Sequence, residues 1–114
     1  MQEKFRYEDG PDEATRSLVP CGELDSATAG DVRHRIEQAL AAGKRRVIVD
    51  LSETTYMETS ALAALLDANA RVKRFGARLL VVIPSESRVR LLFSITRLDN
   101  VLQILESRDA AIAS

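Results

Sequence analysis

The apolar and polar positions along the chain form two patterns. One is the continuous apolar run typical of a buried strand, and the other is the spacing typical of a helix. Residues 47–49 form a continuous apolar, β-branched run, which predicts a strand covered on both faces of a sheet. Further along, apolar side chains recur at helical spacing, at Leu62, Leu65, Leu66 and Val72. This spacing predicts a helix that runs to about Phe75 and stops at Gly76, with a loop between strand and helix.

The beginning of the chain predicts a β-hairpin. Apolar and polar residues alternate over residues 5–8 and, in part, over residues 15–19. Residues 9–12 between these two stretches are rich in turn formers. Pro20 lacks a backbone donor, so it should end the second strand or confine it to an edge.

A second apolar stripe predicts a helix after the hairpin, formed by Ala29, Val32, Ile36, Ala39 and Leu40. Asp25 or Ser26 is a suitable N-cap for this helix, and Gly43 is a suitable stop. The single histidine, His34, lies off the stripe, so we expect it to be solvated.

The remainder of the chain continues the alternation of strands and helices. Residues 79–83 are fully apolar and predict a strand that Pro84 closes. Ser85 can cap a third helix, whose inward side chains are Val89, Leu92 and Phe93. A short strand is predicted at residues 101–105, and Ser107 should open a last helix through Ala110, Ala111 and Ile112.

This order of elements predicts the α/β fold class. Alternating strands and helices with short connections favour right-handed crossovers between parallel neighbours, whereas the opening hairpin contributes an antiparallel pair. We therefore expect a mixed β-sheet of about five strands. A chain of 114 residues is long enough for one hydrophobic core and too short for two, which predicts a single domain.

Composition and charge narrow the possible partners. The chain is 46% hydrophobic and 29% charged, as in globular proteins, and its formal net charge is −1. The basic cluster at residues 44–46 is interpreted as a solvated turn, so no nucleic-acid partner is expected. Cys21 is the only cysteine, which suits a reducing compartment. Because we find neither a signal segment nor an apolar run of bilayer length, we expect a cytoplasmic protein without membrane insertion.

An enzymatic function finds little support in the residues. The five glycines never cluster, so neither a P-loop nor a dinucleotide fingerprint is present, and no cofactor is expected. The one histidine and the one cysteine lie in unrelated local settings. Asp25 and Glu58 could form a carboxylate pair if their loops meet, but such a pair specifies no reaction. We therefore predict that the chain is not an enzyme.

The entrance of the helix at residue 62 carries the most distinctive chemistry. Glu58, Thr59 and Ser60 place one carboxylate and two hydroxyls where unpaired backbone N–H groups and the helix dipole favour acceptors and negative charge. The simplest interpretation is that Thr59 or Ser60 caps the helix.

Two segments together resemble the STAS domains of anti-sigma factor antagonists. The first is D-L-S at residues 50–52 followed by M-E-T-S-A-L at residues 57–62, where the family usually has M/I-D-S-S-G-L. Glu here replaces Asp, Thr replaces the first Ser, and Ala replaces Gly. The second is G-E-L-D at residues 22–25 followed by T-A at residues 28–29. The resemblance extends from about residue 19 to the C-terminus.

The resemblance implies a single STAS domain over residues 1–114, with helices packed mainly on one face of the sheet. In the family the first hydroxyl of this motif is phosphorylated, a role that carries over to Thr59, with Ser60 as the alternative acceptor. The partner-binding surface implied for this chain consists of Asp25, Glu58, Thr59, Ser60 and Ala61.

The implied function is that of an anti-sigma factor antagonist. Such a protein binds an anti-sigma factor, usually a serine/threonine protein kinase, and so releases a sigma factor. Phosphorylation at Thr59 would end binding through added charge, and a phosphatase would restore it.

Two alternatives remain open. The chain could be a STAS subunit that binds a different partner, either the ATPase of an ABC lipid transporter or a stress-signalling scaffold. A nucleotide-binding or weakly hydrolytic domain is the other class, which the lack of a phosphate cradle disfavours.

Overall fold

A mixed five-stranded sheet forms the centre of the molecule, with a second sheet of two strands beside it. The computed structural model describes residues 5–114. The strands are β1 Phe5–Asp9, β2 Thr15–Pro20, β3 Gly22–Leu24, β4 Arg46–Asp50, β5 Thr54–Met57, β6 Arg78–Val82 and β7 Gln103–Leu105. The larger sheet has the order β1-β2-β4-β6-β7, and the smaller sheet pairs β3 with β5. The predicted mixed sheet of about five strands is confirmed.

Helices alternate with these strands from β3 onward. They are α1 Ser26–Ala41, α2 Thr59–Arg74, α3 Arg88–Thr96 and α4 Arg108–Ala113, with a short 3₁₀ turn at Leu98–Asn100. Over residues 5–114, none of the helices combines the length and apolar character that crossing a membrane requires.

Strand direction follows the predicted connectivity. The hairpin strands β1 and β2 pair antiparallel, with Phe5 opposite Pro20. The pairs β2–β4, β4–β6 and β6–β7 are all parallel, because a helical crossover separates each strand from the next in the sheet. Pro20 is the last residue of β2, as the sequence predicted.

Successive side chains of the central strands pack into two different hydrophobic cores, one on each face of the sheet. On one face Val47, Val49, Leu79 and Val81 pack with the inward stripes of α1, α2 and α3. On the other face Ile48, Leu80 and Val82 pack with Ala111 of α4. Both faces of the larger sheet are covered, which explains why the sequences of its central strands are continuously apolar. The expectation that the helices pack mainly on one face is confirmed.

Glycines end the two long helices at the predicted positions. The C-cap of α1 is Ala42, followed by Gly43 at φ +82°, and the C-cap of α2 is Phe75, followed by Gly76 at φ +72°. Positive φ is accessible to glycine at little steric cost, so each glycine lets the chain leave its helix and enter the next strand.

The smaller sheet is the main departure from the predicted elements. The sequence predicted a loop between residue 50 and the second long helix, but residues 54–57 form β5, which pairs parallel with β3. The Thr54 hydroxyl donates to the Pro20 carbonyl at 3.1 Å, and the Gly22 N–H donates to the Glu53 carbonyl at 2.9 Å. These bonds join segments about thirty residues apart, which local periodicity cannot reveal.

Two local predictions, the cap of the third helix and the start of the last strand, were wrong. Ser87, and not Ser85, caps α3, because its hydroxyl accepts the Val89 N–H at 3.2 Å. The last strand begins at Gln103 and not at residue 101, because the 3₁₀ turn continues into Val101, whose N–H donates to the Leu98 carbonyl.

The prediction of a solvated turn at the basic cluster holds for Arg45, which is exposed, but not for Lys44 and Arg46. Lys44 Nζ donates to the Glu13 carbonyl at 2.8 Å and lies 3.2 Å from the Asp9 carboxylate. Arg46 Nη1 donates to the Ile112 carbonyl at 2.8 Å. These two cations therefore bind the chain itself, linking the β1–β2 turn and the C-terminal helix to the start of β4.

Candidate functional site

The two segments with distinctive chemistry meet where the smaller sheet ends. Strands β3 and β5 pair with Leu24 opposite Met57, so Asp25 and Glu58 leave the sheet as neighbours. The Glu58 N–H donates to the Leu24 carbonyl at 3.0 Å, which extends the pairing by one residue. Helices α1 and α2 then begin side by side. The candidate site is this junction of two strand ends and two helix starts.

Asp25 caps α1 through a reciprocal capping box. Its Oδ1 accepts the Thr28 N–H at 3.0 Å, while Thr28 Oγ1 accepts the Asp25 N–H at 2.7 Å. The prediction of Asp25 or Ser26 as N-cap is thereby resolved in favour of Asp25. Asp25 is half-buried. Because its carboxylate caps α1, the capping hydrogen bonds set the position of this carboxylate at the edge of the junction.

The hydroxyls of α2 do not cap their helix, contrary to the simplest sequence interpretation. Glu58 is the N-cap, and Thr59 and Ser60 are the first two helical residues. Among the described residues, no side chain makes a capping hydrogen bond to α2. Thr59 and Ser60 are both exposed, and Glu58 is half-buried beside them. The start of α2 thus presents two accessible hydroxyls at the positive end of a helix of 16 residues.

Ala61 occupies a different environment from the other predicted site residues. Only 1% of its surface is exposed, and it packs in the main core with Leu62 and Met57. Its side chain therefore anchors the first turn of α2 in the core, and the side chains accessible at this turn are those of Thr59 and Ser60.

Asp50 and Glu53 organise the approach to β5. Asp50 is 6% exposed; its Oδ1 accepts the Ser52 N–H at 2.9 Å, and its other oxygen lies 3.6 Å from Arg108. Glu53 pairs with Arg6 of β1, and this hydrogen bond lowers the pKa of the Glu53 carboxyl. Asp50 and Glu53 are therefore both paired within the fold. Their contacts fix the turn between β4 and β5 that leads into the site.

Within residues 5–114 no three histidine, cysteine or acidic side chains are grouped so that they could hold a metal ion. The two carboxylates of the junction, Asp25 and Glu58, do lie on adjacent loops, as the sequence analysis considered. One of them caps a helix, and the only histidine, His34, is exposed on α1. The polar groups of the junction are therefore the Asp25 and Glu58 carboxylates and the exposed hydroxyls of Thr59 and Ser60.

Sequence reasoning missed several residues that build the site or border it. Thr28 could have been found from its position three residues after Asp25, the spacing of a capping box. Thr54 and Tyr56 gave no local signal, because their strand exists only through pairing with β3. Leu91 and Ile95 lie off the inward stripe of α3 and are exposed, which the spacing of Val89 and Phe93 could have indicated.

The mixed sheet with helices mainly on one face is the architecture that the resemblance to STAS domains implied. The family model described as STAS domain matches residues 14–111. The chain therefore belongs to the STAS domain family.

Related proteins agree with this assignment. BtrV of Bordetella bronchiseptica, which is named an anti-sigma factor antagonist, is 26% identical over 99 residues, covering 85% of this chain and 84% of BtrV. An anti-sigma factor antagonist from Mycobacterium paratuberculosis has a similar structure, with a TM-score of 0.81 at 20% identity, over 96% of this chain and 90% of that one. The phosphorylated form of the Bacillus cell fate determinant SpoIIAA has a TM-score of 0.70 at 21% identity, with 96% of each chain covered. Two of these three proteins, BtrV and the Mycobacterium paratuberculosis protein, are named anti-sigma factor antagonists.

Proposed function

We propose that this protein is an anti-sigma factor antagonist that binds an anti-sigma factor of the serine/threonine kinase type and thereby releases a sigma factor. The observation that carries the proposal is the exposed Thr59 hydroxyl, placed at the first position of α2 beside the start of α1. Membership of the STAS family and the antagonist relatives support it. The protein acts as ligand and substrate of its partner in the cytoplasm and is not itself an enzyme.

The binding surface is centred on the junction of β3 and β5. Asp25, Glu58, Thr59 and Ser60 are its polar side chains, and Ala61 contributes by holding the first turn of α2 in the core. The β3–β5 pairing fixes the two loops relative to each other. A surface that is already ordered loses little conformational entropy when a partner binds.

Phosphorylation of Thr59, or alternatively Ser60, switches this surface off. A phosphate adds roughly 1.5 to 2 negative charges. Within the fold it is tolerated, because the α2 N-terminus favours an anion and no side chain in the described part of the chain already caps that helix. Across a closely packed interface, and beside Glu58, the same group brings repulsion and a desolvation cost. Binding is lost while the fold is kept, and a phosphatase restores the active form.

The first test is a tagged pull-down from native cytoplasm with wild type, Thr59→Ala and Thr59→Glu, with partners and phosphosites identified by mass spectrometry. We expect wild type and Thr59→Ala to retain an anti-sigma factor kinase and Thr59→Glu to lose it. Phosphopeptide mapping assigns the acceptor as Thr59 or Ser60. Ala70→Glu is the matched control, since it adds the same charge to an exposed position of α2 far from the junction.

The three outcomes lead to different conclusions. Loss of the kinase with Thr59→Glu alone supports the proposal. Equal loss with Ala70→Glu would show a general charge effect and contradict a switch at Thr59. Retention of a transporter ATPase or a signalling scaffold by wild type, with no anti-sigma factor, would refute the sigma-factor role.

A further inference from the structure

Asn69 is a polar residue on the inward side of α2. It is 7% exposed and lies one helical turn from both Leu65 and Val72, which belong to the main core. Within residues 5–114 its side-chain amide has no hydrogen-bond partner, yet neither of its polar atoms is sealed from solvent. The great majority of buried polar side-chain atoms in native structures do have a partner, because leaving them unpaired is costly. The Asn69 amide therefore opens on a space that another molecule can enter.

That space is a cleft between the second half of α2 and the edge of the larger sheet. It has a volume of about 140 Å³ and is lined by Asn69, Lys73, Ala77, Arg78, Leu79, Val101 and Gln103. Lys73 lies four residues after Asn69, so the two side chains share one side of the helix. A water molecule occupies about 30 Å³ in the liquid, so the cleft admits a group of only a few heavy atoms.

The lining of this cleft carries positive charge without a carboxylate to balance it. Lys73 and Arg78 are its cations, and within the described residues Lys73 makes neither an ion pair nor a hydrogen bond. Arg78 donates to the Ser114 carbonyl at 3.2 Å, to Ser114 Oγ at 3.1 Å and to Gln103 Oε1 at 3.3 Å. These bonds hold the guanidinium in place and leave some of its N–H groups unused. The cleft thus attracts an anion and offers it donors.

We propose that this cleft, here called the Asn69 cleft, binds the phosphate group of a small molecule. The Asn69 amide N–H groups, the Lys73 ammonium and the unused N–H groups of Arg78 donate to the phosphate oxygens. A phosphate group carries roughly 1.5 to 2 negative charges at neutral pH and has three strong acceptor oxygens, which matches two cations and three donor groups. A carboxylate has a single charge and fewer oxygens, so it would leave part of the lining unpaired.

The Asn69 cleft is separate from the junction at Thr59. Both belong to α2, but Asn69 lies ten residues after Thr59, which corresponds to about 15 Å along the helix axis. The inference is therefore independent of the proposed phosphorylation switch, and failure of either one leaves the other standing.

An NMR titration of the isotope-labelled full chain at constant ionic strength tests the inference. Inorganic phosphate, glycerol phosphate, acetate and chloride are the added anions. We expect the Asn69 side-chain amide and the backbone amides of Lys73 and Arg78 to shift saturably with phosphate below about 20 mM, within the range of weak ligand affinity. Tighter binding of inorganic phosphate would identify the free ion as the ligand, and tighter binding of glycerol phosphate would identify a phosphate monoester.

Substitutions separate binding from stability. Asn69→Asp keeps the shape and adds a negative charge, so it should weaken phosphate binding at least about tenfold. Lys73→Gln removes a cation at an exposed position without disturbing the core and should weaken binding at least about threefold. Arg74→Gln is the matched control, because it removes a charge from the next exposed position of α2, outside the cleft lining, and should change affinity less than about twofold.

Thermal unfolding supplies a second measurement with the opposite sign. Without phosphate, Asn69→Leu should melt at or above the wild-type temperature, because it removes an unpaired amide from an apolar setting. With phosphate, the melting temperature should rise for wild type and stay unchanged for Asn69→Leu.

Three results would overturn the inference. The absence of a saturable shift with either phosphate would mean that Asn69 is only hydrated. Equal affinity for acetate would contradict recognition of phosphate. Equal weakening by Arg74→Gln and Lys73→Gln would show a general effect of charge and no site.

Discussion

The Asp25 side chain contributes both to the fold, through its capping box with Thr28, and to the proposed interface. The capping box satisfies two backbone N–H groups at the start of α1. It also fixes the carboxylate at the junction, next to the start of α2. A change in charge at Asp25 can therefore be separated from a change in capping, because asparagine keeps the acceptor and removes the charge.

Asp25→Ala should reduce the free energy of unfolding by about 0.5 to 2 kcal/mol, because the N-cap acceptor is lost. Asp25→Asn should stay close to wild type. Urea denaturation followed by circular dichroism measures both. Ser26→Ala, at an exposed neighbouring position, is the control, and an equal loss there would contradict the capping role.

Asp9 provides a second prediction at this scale, in its dependence on pH. Its hydrogen bond with Arg16, at 2.6 Å, and the nearby Lys44 lower the pKa of the Asp9 carboxyl from 3.8 to about 2. The folded state therefore favours the ionised form, and the resulting stabilisation is present above pH 3.8 and lost as pH falls towards 2. Because the side chain is 46% exposed, screening should keep this contribution below about 1 kcal/mol.

The measurement is the free energy of unfolding of wild type and Asp9→Asn between pH 2 and pH 7. We expect a constant difference above about pH 5 that disappears towards pH 2. Arg16→Gln should remove most of the same pH dependence, since it removes the group that lowers the pKa. A difference that grows on acidification would contradict this assignment.

At the scale of elements, α2 connects the core to the candidate site. Its inward side chains, Leu62, Leu65, Ala68 and Val72, are at most 4% exposed, while its first turn presents Thr59 and Ser60. The apolar stripe thus fixes the helix rotation that exposes the hydroxyls.

Leu65→Ala should reduce the free energy of unfolding by roughly 2 to 5 kcal/mol, because it removes buried methyl groups and leaves a cavity. Leu91→Ala is the matched control: the same substitution at 63% exposure should change stability by less than about 0.5 kcal/mol. Chemical denaturation compares the two. Equal effects would mean that α2 does not face the core as described.

At the scale of the whole molecule, the last helix completes the burial of the sheet. Ala111 is fully buried against Ile48, Leu80 and Val82, and α4 is the element that covers this face within the described residues. Arg46 and Arg108 also bond to groups outside their own elements, to the Ile112 carbonyl and the Asp50 carboxylate. A short helix is thus held by both packing and charge.

Ala111→Asp should destabilise the protein by at least about 2 kcal/mol, since it places an unpaired charge in an apolar contact. Ala110→Asp puts the same residue at the exposed neighbouring position and should have little effect. Hydrogen exchange should show faster exchange in α4 and along β4 and β6 for Ala111→Asp only. Unchanged protection would show that α4 does not contribute to the second core.

The amino-acid sequence by itself determined the fold class, the hairpin, the long helices with their glycine stops and the central strands, because these depend on local periodicity and backbone preferences. Its motifs also indicated the STAS family, through residues 50–52 and 57–62. Only the tertiary structure decided that β5 exists, that Ala61 is buried and that Asp25 and Glu58 leave the smaller sheet side by side. The physical reason is that each of these follows from contacts between segments far apart in the chain, which no local pattern records.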